Sequence, residues 1–351
     1  MDQHIKTIQE AINAWLQPDN EILMGAIQKT VDENLFDGSD IRHRIRHLKN
    51  SVTENNLSAW CSRAGLESPS LIDREICCLH AGNIPLVGFH NLLAVLLTGA
   101  NYYGKLSRKD PYLMSSFLKV LENFELVKPE CWATQLDHFQ GINADAVLFS
   151  GSEASVTPVR KSLAELKIAN DKTPELIRTA HFSIAWITDN KKETMENLTE
   201  AVFRYGGNGC RSVAYVVAPF SLKNEKCTFT DYVESFWLNN PQHQKPSPSL
   251  YHRYAYNRAV GIEQAWLEDF LIEETMVSPD EKFVLHWIEG GLNEVEDIIR
   301  MNTHVQSVYS NSEIGEKIVN KVVEPLSQAQ TPPVWWKADG IDTIKWMLDR
   351  L

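Results

Sequence analysis

Short apolar strands alternate with helices from about residue 76 to residue 217. The apolar runs are separated by segments with helical spacing and by turns that contain glycine or proline. The strands are predicted at residues 76–80, 101–106, 146–149, 183–187 and 213–217. This alternation is typical of a mostly parallel sheet covered by helices on both faces, because each parallel connection needs a crossover. The sequence therefore predicts an α/β fold whose ligands bind at the carboxyl ends of the strands.

The segments that flank this alternation have a different character. Residues 1 to about 66 are polar and helical, with apolar side chains at helical spacing (Ile5, Ile8, Ile12, Trp15), and Asp19 is a candidate cap of a second helix. Beyond the last strand we expect a proline-rich loop, a helix, a strand and a linker, at residues 239–249, 251–270, 283–287 and 328–333.

Local signals mark three helix starts within the α/β region. Asp110-Pro111 predicts a start because proline suits the first helical position. Asn190 and Glu193 have the spacing of a capping box. A helix predicted from about residue 155 to residue 166 requires Pro158 to lie in its first turn.

The charge balance limits the class of partner. A net charge of −12 and a pI near 5.4 argue against nucleic acid or an anionic membrane as the main partner. The longest apolar stretch, residues 84–100, is interrupted by polar residues and is shorter than the ~20 residues that span a bilayer. The cysteines are scattered and the N-terminus lacks a signal-peptide pattern, so we expect a cytoplasmic protein with reduced thiols and no membrane span.

One cysteine follows a cluster of glycines. Three of the four residues before Cys210 are glycines, in the sequence Gly206-Gly207-Asn208-Gly209-Cys210. Glycine permits positive φ angles and a close approach of the backbone to a ligand. A thiolate in such a loop can attack an acyl carbonyl while backbone N–H groups stabilise the oxyanion. A small buried cysteine beside a tight turn fits the same pattern, and the residues by themselves leave both interpretations open.

Polar residues follow three of the predicted strands. Asn83 can donate a hydrogen bond to an oxyanion, although asparagine is also an ordinary turn residue. The cations of Lys105–Lys109 suit a phosphate or a ribose, or form a solvated loop. Gly151-Ser152, between a strand and a helix, suits a pyrophosphate or is a plain turn.

No metal site is predicted. His43 and His47 are four residues apart in a basic segment but lack a third ligand, so a solvated helix explains them. Cys77, Cys78 and His80 do not share one face of a strand, and we assign them to the core.

Taken in order, these segments resemble the aldehyde dehydrogenase superfamily, and more closely its acyl-CoA reductase branch, typified by the LuxC-like reductase of bacterial bioluminescence. The segment Ala81-Gly82-Asn83-Ile84-Pro85 is similar to the Ala-Gly-Asn-x-Pro segment of that branch. Residues 105–111 resemble its Lys-x-Ser-x-x-Asp-Pro segment, and residues 149–152 resemble the Phe-x-Gly-Ser turn of the superfamily. Residues 207–210 resemble the Gly-x-x-Cys nucleophile loop. The matches cover about residues 76–220.

The resemblance implies a role for each matched residue. Cys210 is the implied nucleophile, and the Asn83 carboxamide with the Cys210 backbone N–H forms the implied oxyanion hole. Lys105 and Ser107 would contact the adenosine ribose of a nicotinamide cofactor. Gly151 and Ser152 would line its pyrophosphate. His181 is a candidate for proton transfer, although a histidine at the start of a strand is often structural.

The resemblance also implies a domain organisation. It comprises a helical N-terminal segment, a Rossmann-like dinucleotide-binding domain, an α/β catalytic domain with the cysteine and a C-terminal segment, at residues 1–70, 71–188, 189–330 and 331–351. Relatives in the superfamily commonly dimerise, so a homodimer is one expected state.

Two departures from the family pattern indicate which cofactor binds and whether the acyl group is reduced or hydrolysed. Arg108 occupies the position where NAD-linked relatives carry a glutamate that binds both ribose hydroxyls, and a guanidinium suits a 2′-phosphate, so NADPH is the predicted cofactor. The stretch Leu176–Phe182 corresponds to the segment whose glutamate activates the hydrolytic water, and it contains no carboxylate, although a slip of one residue would place Glu175 there.

We therefore predict NADPH-dependent reduction of an acyl thioester, carried by coenzyme A or a carrier protein, to an aldehyde through an acyl-Cys210 intermediate. The alternatives are reduction of an acyl phosphate on the same fold, a thiol acyltransferase without nicotinamide binding, and a non-catalytic partner subunit.

Overall fold

A computed structural model describes residues 1–179, 181–241, 248–267, 269–279 and 283–351. The chain divides into two compact units. The first comprises Met1–Ala180 with Pro333–Leu351, and the second comprises His181–Pro332. Each unit has its own sheet and its own apolar core, and each is described by itself.

The first unit begins with helices, as predicted for residues 1–66. Their bounds are α1 Asp2–Trp15, α2 Glu21–Asp32, α3 Gly38–Ser51 and α4 Glu54–Ala64. The apolar stripe of α1 is buried, so this helix packs into the core of the unit. The cap of α2 is Asn20 and not the predicted Asp19, because the Asn20 side chain accepts a hydrogen bond from Leu23 N at 2.9 Å.

Sheet 1 is parallel throughout. Its strands are β1 Glu75–Leu79, β2 Asn101–Lys105, β3 Trp132–Ala133, β4 Ala146–Ser150 and β5 Glu175–Arg178, and the intervening helices are α5 Phe89–Thr98, α6 Leu113–Asn123 and α7 Glu153–Glu165. The spatial order β3-β2-β1-β4-β5 is Rossmann-like. The chain first adds β2 and β3 on one side of β1 and then adds β4 and β5 on the other side. The switch point, where the direction of strand addition reverses, therefore lies between the carboxyl ends of β1 and β4.

Three local predictions in this unit were wrong. Helix α6 starts at Leu113 and not at Asp110-Pro111, and the buried Asp110 carboxylate accepts hydrogen bonds from the N–H groups of Leu113 and Met114 and from that of Leu86 in another loop. Pro158 is the sixth residue of α7, in its second turn. The carbonyl that loses its donor is that of Ala154, an exposed residue, so solvent can satisfy it. Strand β5 was missed, since its four residues show no clear period.

The second unit surrounds a larger sheet. Its strands are β6 Phe182–Trp186, β7 Val213–Ala218, β8 Gln264–Leu267, β9 Phe270–Glu273, β10 Val284–Glu289, β11 Val305–Ser310, β12 Lys317–Ile318 and β13 Lys321–Pro325. Its helices are α8 Lys192–Phe203, α9 Leu222–Asn239, α10 Ser249–Val260 and α11 Leu292–Met301. Sheet 2 has the order β12-β13-β11-β6-β7-β10-β9-β8, and only its two outermost pairs are antiparallel among the residues the structure describes.

Two predictions in the second unit were also wrong. The helix predicted over residues 251–270 ends at Val260, because Gly261 takes a left-handed conformation (φ 79°) and the chain continues into the β8–β9 hairpin. The predicted cap Asn190 instead donates a hydrogen bond to Glu225 Oε1 at 3.0 Å, and Lys191 precedes α8. Residues 242–247 of the predicted proline-rich loop lie outside the described residues.

The C-terminal segment returns to the first unit. Helix α12, Thr343–Arg350, is capped by Asp342, whose carboxylate accepts hydrogen bonds from Lys345 N and from the Trp60 indole. These bonds join the end of the chain to α4. In the described part of the chain, no helix is both long and apolar enough to cross a bilayer.

Candidate active site

Two of the predicted segments meet at the carboxyl edge of sheet 1. The backbone N–H of His80 donates to the Lys105 carbonyl at 3.0 Å, so the ends of β1 and β2 are joined. Gly82 packs against Ser107 so closely that a Cβ at Gly82 would overlap the serine side chain. Asn83 follows Gly82 and is exposed. The fold thus brings the predicted oxyanion and ribose segments together within one unit.

Two cations dominate the electrostatics of this edge. Lys105 is half-buried at the end of β2, and Arg108 is exposed three residues later. Burial and, second, the charge of Arg108 lower the pKa of Lys105. Burial and the charge of Lys105 also lower the pKa of His80 to about 4, so that imidazole is neutral at pH 7. An anion bound beside Lys105 and Arg108 would relieve their mutual repulsion.

The strand-to-helix turn after β4 flanks the switch point. Ser152 precedes α7 and is exposed, and its Oγ lies 2.6 Å from Ser155 Oγ, within hydrogen-bond distance, in the first turn of that helix. The Gly151 N–H donates to the Arg178 carbonyl at 3.0 Å, so this amide serves sheet 1. Glu153 adds a negative charge in the first turn of α7. The pyrophosphate roles of Gly151 and Ser152 stay predictions.

The loop that carries Cys210 lies between α8 and β7 in the second unit. Tyr205, Gly206 and Gly207 take left-handed conformations with φ of 58°, 62° and 68°. Gly206 and Gly207 take the positive φ angles that were predicted for the glycine cluster, whereas Gly209 does not, and a left-handed tyrosine costs about 1 kcal/mol. Asn208 braces the turn, since its side chain donates to the Tyr205 carbonyl at 3.0 Å.

The backbone around Cys210 is anchored on both sides. Ser183 Oγ donates to the Cys210 carbonyl at 3.1 Å, and Ser212 N donates to the Gly209 carbonyl at 2.9 Å. The guanidinium of Arg211 is buried and donates to the Ala329 carbonyl at 3.1 Å. These contacts fix the loop against the amino end of β6.

Cys210 differs from most of the other cysteines in exposure. Burial raises the pKa of Cys61 to about 11, and those of Cys77 and Cys131 to about 12, so these thiols stay protonated at neutral pH. Cys78 is also buried and its pKa is raised. Cys210 is partly exposed, and Cys227 on α9 is exposed. A nucleophile must reach its substrate, which the buried thiols cannot do.

Two histidines lie at the same edge of sheet 2 as the cysteine loop. His181 precedes β6, and its ring centroid lies 5.4 Å from that of His304, which precedes β11. The His304 carbonyl accepts a hydrogen bond from Phe182 N at 3.2 Å. Residue 304 was missed in the sequence because only the parallel pairing of β6 with β11 brings it to residue 181.

The segment without a carboxylate, Leu176–Phe182, overlaps β5 from Leu176 to Arg178. Arg178 at the end of this strand is buried and donates to Asn91 Oδ1, the Ile341 carbonyl and Thr343 Oγ1. Glu175 lies at the opposite end of the strand, where its carboxylate accepts a hydrogen bond from Arg160 Nε at 2.7 Å. Glu175 is therefore three residues from the carboxyl edge of sheet 1, in an ion pair.

The His, Cys, Asp and Glu side chains of the described residues were compared with the arrangements that hold metal ions. No group of three or more His, Cys, Asp or Glu side chains suited to a metal ion occurs among the described residues. Cys77 and Cys78 are fully buried in β1, as the assignment to the core requires.

Comparison with known proteins identifies the fold. No protein-family model matches the chain, and no curated protein matches it at a significant level. Among solved structures, it is similar to an aldehyde dehydrogenase from Bacillus cereus (TM-score 0.60, 13% identity, 93% of this chain and 76% of that one). A NAD-dependent benzaldehyde dehydrogenase from Corynebacterium glutamicum is similar over 88% of this chain and 76% of its own (TM-score 0.60, 13% identity).

A third similar structure contains the phosphorylated cofactor. The NADP-dependent glyceraldehyde-3-phosphate dehydrogenase from Bacillus halodurans, complexed with NADP, matches over 92% of this chain and 82% of its own, with a TM-score of 0.57 and 11% identity. At such low identity these similarities show the fold. The predicted aldehyde dehydrogenase-like fold with a helical N-terminal segment is confirmed. The roles assigned to individual residues stay predictions.

Proposed function

We propose that the protein reduces acyl thioesters to aldehydes with NADPH, through a thioester on Cys210. The observation that carries the proposal is the cysteine loop: a partly exposed thiol follows a left-handed turn in a fold shared with aldehyde dehydrogenases.

The residues at the carboxyl edge of sheet 1 fit a phosphorylated dinucleotide. Lys105 and Ser107 would bind the adenosine ribose, Arg108 its 2′-phosphate, and Ser152 with Gly151 would line the pyrophosphate. The donor set is cationic and hydroxylic, and its two cations repel each other until an anion binds. When bound, the cofactor supplies the hydride.

The first step is exchange of thioesters. The Cys210 thiolate attacks the acyl carbonyl, the new C–S bond forms, and the bond to the carrier sulfur breaks. The Asn83 carboxamide and the Cys210 N–H donate hydrogen bonds to the oxygen that becomes negative. The carrier leaves as a thiolate and takes a proton. We assign His181 as the donor of this proton, because it precedes β6, whose Ser183 contacts the Cys210 carbonyl.

The second half of the reaction releases the aldehyde. Hydride addition turns the acyl-Cys210 carbonyl into the alkoxide of a thiohemiacetal, held by the same two donors. The alkoxide re-forms the carbonyl, the C–S bond breaks, and Cys210 returns as a thiolate. One acyl thioester, one NADPH and one proton thus give one aldehyde, one free thiol and NADP⁺.

The position of Glu175 favours reduction over hydrolysis. Its carboxylate binds Arg160, and the end of β5 carries Arg178. Without a carboxylate to activate water, the acyl-enzyme would persist until hydride reaches it. Rapid oxidation of free aldehyde to acid that is lost in E175Q would contradict this assignment.

Removing the Asn83 carboxamide is expected to slow the reaction strongly. N83A loses one of two donors to the oxyanion, and we expect kcat to fall by about 100- to 1,000-fold with little change in the KM for NADPH. Steady-state kinetics measure kcat and KM, and a melting curve shows whether N83A is folded. An unchanged kcat in folded N83A would remove Asn83 from the oxyanion hole.

The proposal is tested by supplying acyl-CoA of several chain lengths and, in parallel, acyl phosphate, with NADPH. We expect NADPH oxidation with acyl-CoA and a stoichiometric aldehyde product. Activity only with acyl phosphate would make the protein an acyl-phosphate reductase. Acylation of Cys210 without any NADPH oxidation would make it an acyltransferase.

A further inference from the structure

The turn that carries Asn83 contains a leucine in an unusual conformation. Leu86 has a φ of 55° and is fully buried. Side chains other than glycine, asparagine and aspartate rarely adopt this left-handed region. Such a conformation persists only where the surrounding structure imposes it. The contacts of Leu86 therefore show what holds the turn.

Two buried side chains of opposite charge hold the peptide groups of Leu86. The Asp110 carboxylate accepts a hydrogen bond from Leu86 N at 2.7 Å. The Arg44 guanidinium, from α3, donates to the Leu86 carbonyl at 3.4 Å. Asp110 is 2% and Arg44 7% exposed. The backbone of Leu86 is thus clamped from two elements that are distant in sequence.

The other end of the same turn is held as well. Gly82 packs against Ser107, and the Ser107 carbonyl accepts a hydrogen bond from Asp110 N at 3.2 Å. The residues from Gly82 to Leu86 are therefore fixed at both ends against the Ser107–Asp110 loop. Asn83 lies exposed between the two fixed ends.

The buried Asp110 carboxylate binds N–H groups of two segments, the turn at Leu86 and the first residues of α6. Burial raises the pKa of Asp110 to about 6, although the N–H groups of Leu86, Met114 and Leu113 and the charge of Arg44 favour the carboxylate. The carboxylate is ionised at pH 7 in a place where ionisation is unfavourable.

We propose that Asp110 and Arg44 are positioning residues that act through Asn83, because they hold Leu86 in the conformation that presents the Asn83 carboxamide. This inference rests on the proposed function, in which Asn83 binds the oxyanion. Neither charged side chain touches the substrate. The helical N-terminal segment thereby contributes, through Arg44, to the geometry of the site.

A double-mutant cycle tests whether Asp110 acts through Asn83. We expect D110A to lower kcat about 100-fold in the wild-type background, since a displaced donor is costly. In the N83A background the same change should cost about twofold or less, because the donor that it displaces is already absent. D110N should retain most of the activity, as its amide oxygen can still accept the Leu86 N–H bond.

The matched control is D145A. Asp145 also accepts a backbone hydrogen bond, from Glu75 N at 2.8 Å, but at the amino end of β1. The kcat of D145A should stay within about twofold of the wild-type value. Hydrogen exchange at the Leu86 amide should accelerate in D110A and not in D145A, which reports the clamp without using activity. If D110A does not fold, R44Q takes its place in the cycle.

The outcomes separate this inference from the proposed function. An equal fold loss from D110A in both backgrounds, or a D110N enzyme as slow as D110A, overturns the positioning role while the proposed function stands. If N83A alone leaves kcat unchanged, the oxyanion assignment fails and the positioning role fails with it.

Discussion

Replacing Cys210 by serine is expected to lower kcat/KM for thioester-dependent NADPH oxidation by at least about 1,000-fold. A serine hydroxyl is a far weaker nucleophile at neutral pH than a thiolate, and the loop offers no general base of its own that would activate it. Because Cys210 is partly exposed and the loop is held by hydrogen bonds from the Ser183 and Asn208 side chains to its carbonyls, C210S should melt at the wild-type temperature.

The control for C210S is C227S. Cys227 is an exposed cysteine that lies on α9 and not in the loop between α8 and β7. C227S should keep full activity and should still be acylated at Cys210. If C210S retained thioester-dependent NADPH oxidation, or if C227S lost it, the assignment of the nucleophile would be wrong.

Replacing Arg108 by glutamate is expected to reverse the cofactor preference. In the wild-type protein the guanidinium would bind the 2′-phosphate of NADPH, whereas a glutamate would repel that phosphate and accept hydrogen bonds from the ribose hydroxyls of NADH. We expect the ratio of kcat/KM for NADPH to that for NADH to fall by about 100-fold, which corresponds to about 2.8 kcal/mol. Titration of cofactor binding, monitored by nicotinamide fluorescence, measures the same change without the chemical step.

The control for R108E is K119E. This variant changes the net charge equally, at an exposed lysine on α6, and should leave the cofactor preference unchanged. Equal or better kcat/KM with NADH in the wild-type protein would show that Arg108 does not select the phosphorylated cofactor. An unchanged preference in R108E would show the same.

The strands and helices that the sequence predicted are those with strong local patterns. Strands β1, β2, β4, β6 and β7 are apolar runs bounded by turns, and all are present within one or two residues of the predicted bounds. Strand β5 was missed because its four residues give no period to detect. The β8–β9 hairpin was taken for a helix, since its apolar residues continue those of α10 without a proline between them.

The same limit applies to the candidate site. The glycine cluster before Cys210 is a local signal, and the left-handed turn that it predicted is present. The clamp on Leu86 could not be predicted, because Arg44 and Asp110 lie 42 and 24 residues from it in the chain. Packing of α3 brings Arg44 to Leu86, and the loop after β2 brings Asp110 there. A short sequence pattern cannot predict contacts between segments so far apart in the chain.

The central claim is that an acyl group on Cys210 is reduced and not hydrolysed. The most direct measurement is to acylate the protein with acyl-CoA in the absence of NADPH, locate the adduct by mass spectrometry of the intact protein and its peptides, and then add NADPH. We predict an acyl adduct on Cys210 that persists until NADPH is added and then leaves as one equivalent of aldehyde. An adduct at another residue, or its release as free acid at the same rate with or without NADPH, would contradict the account.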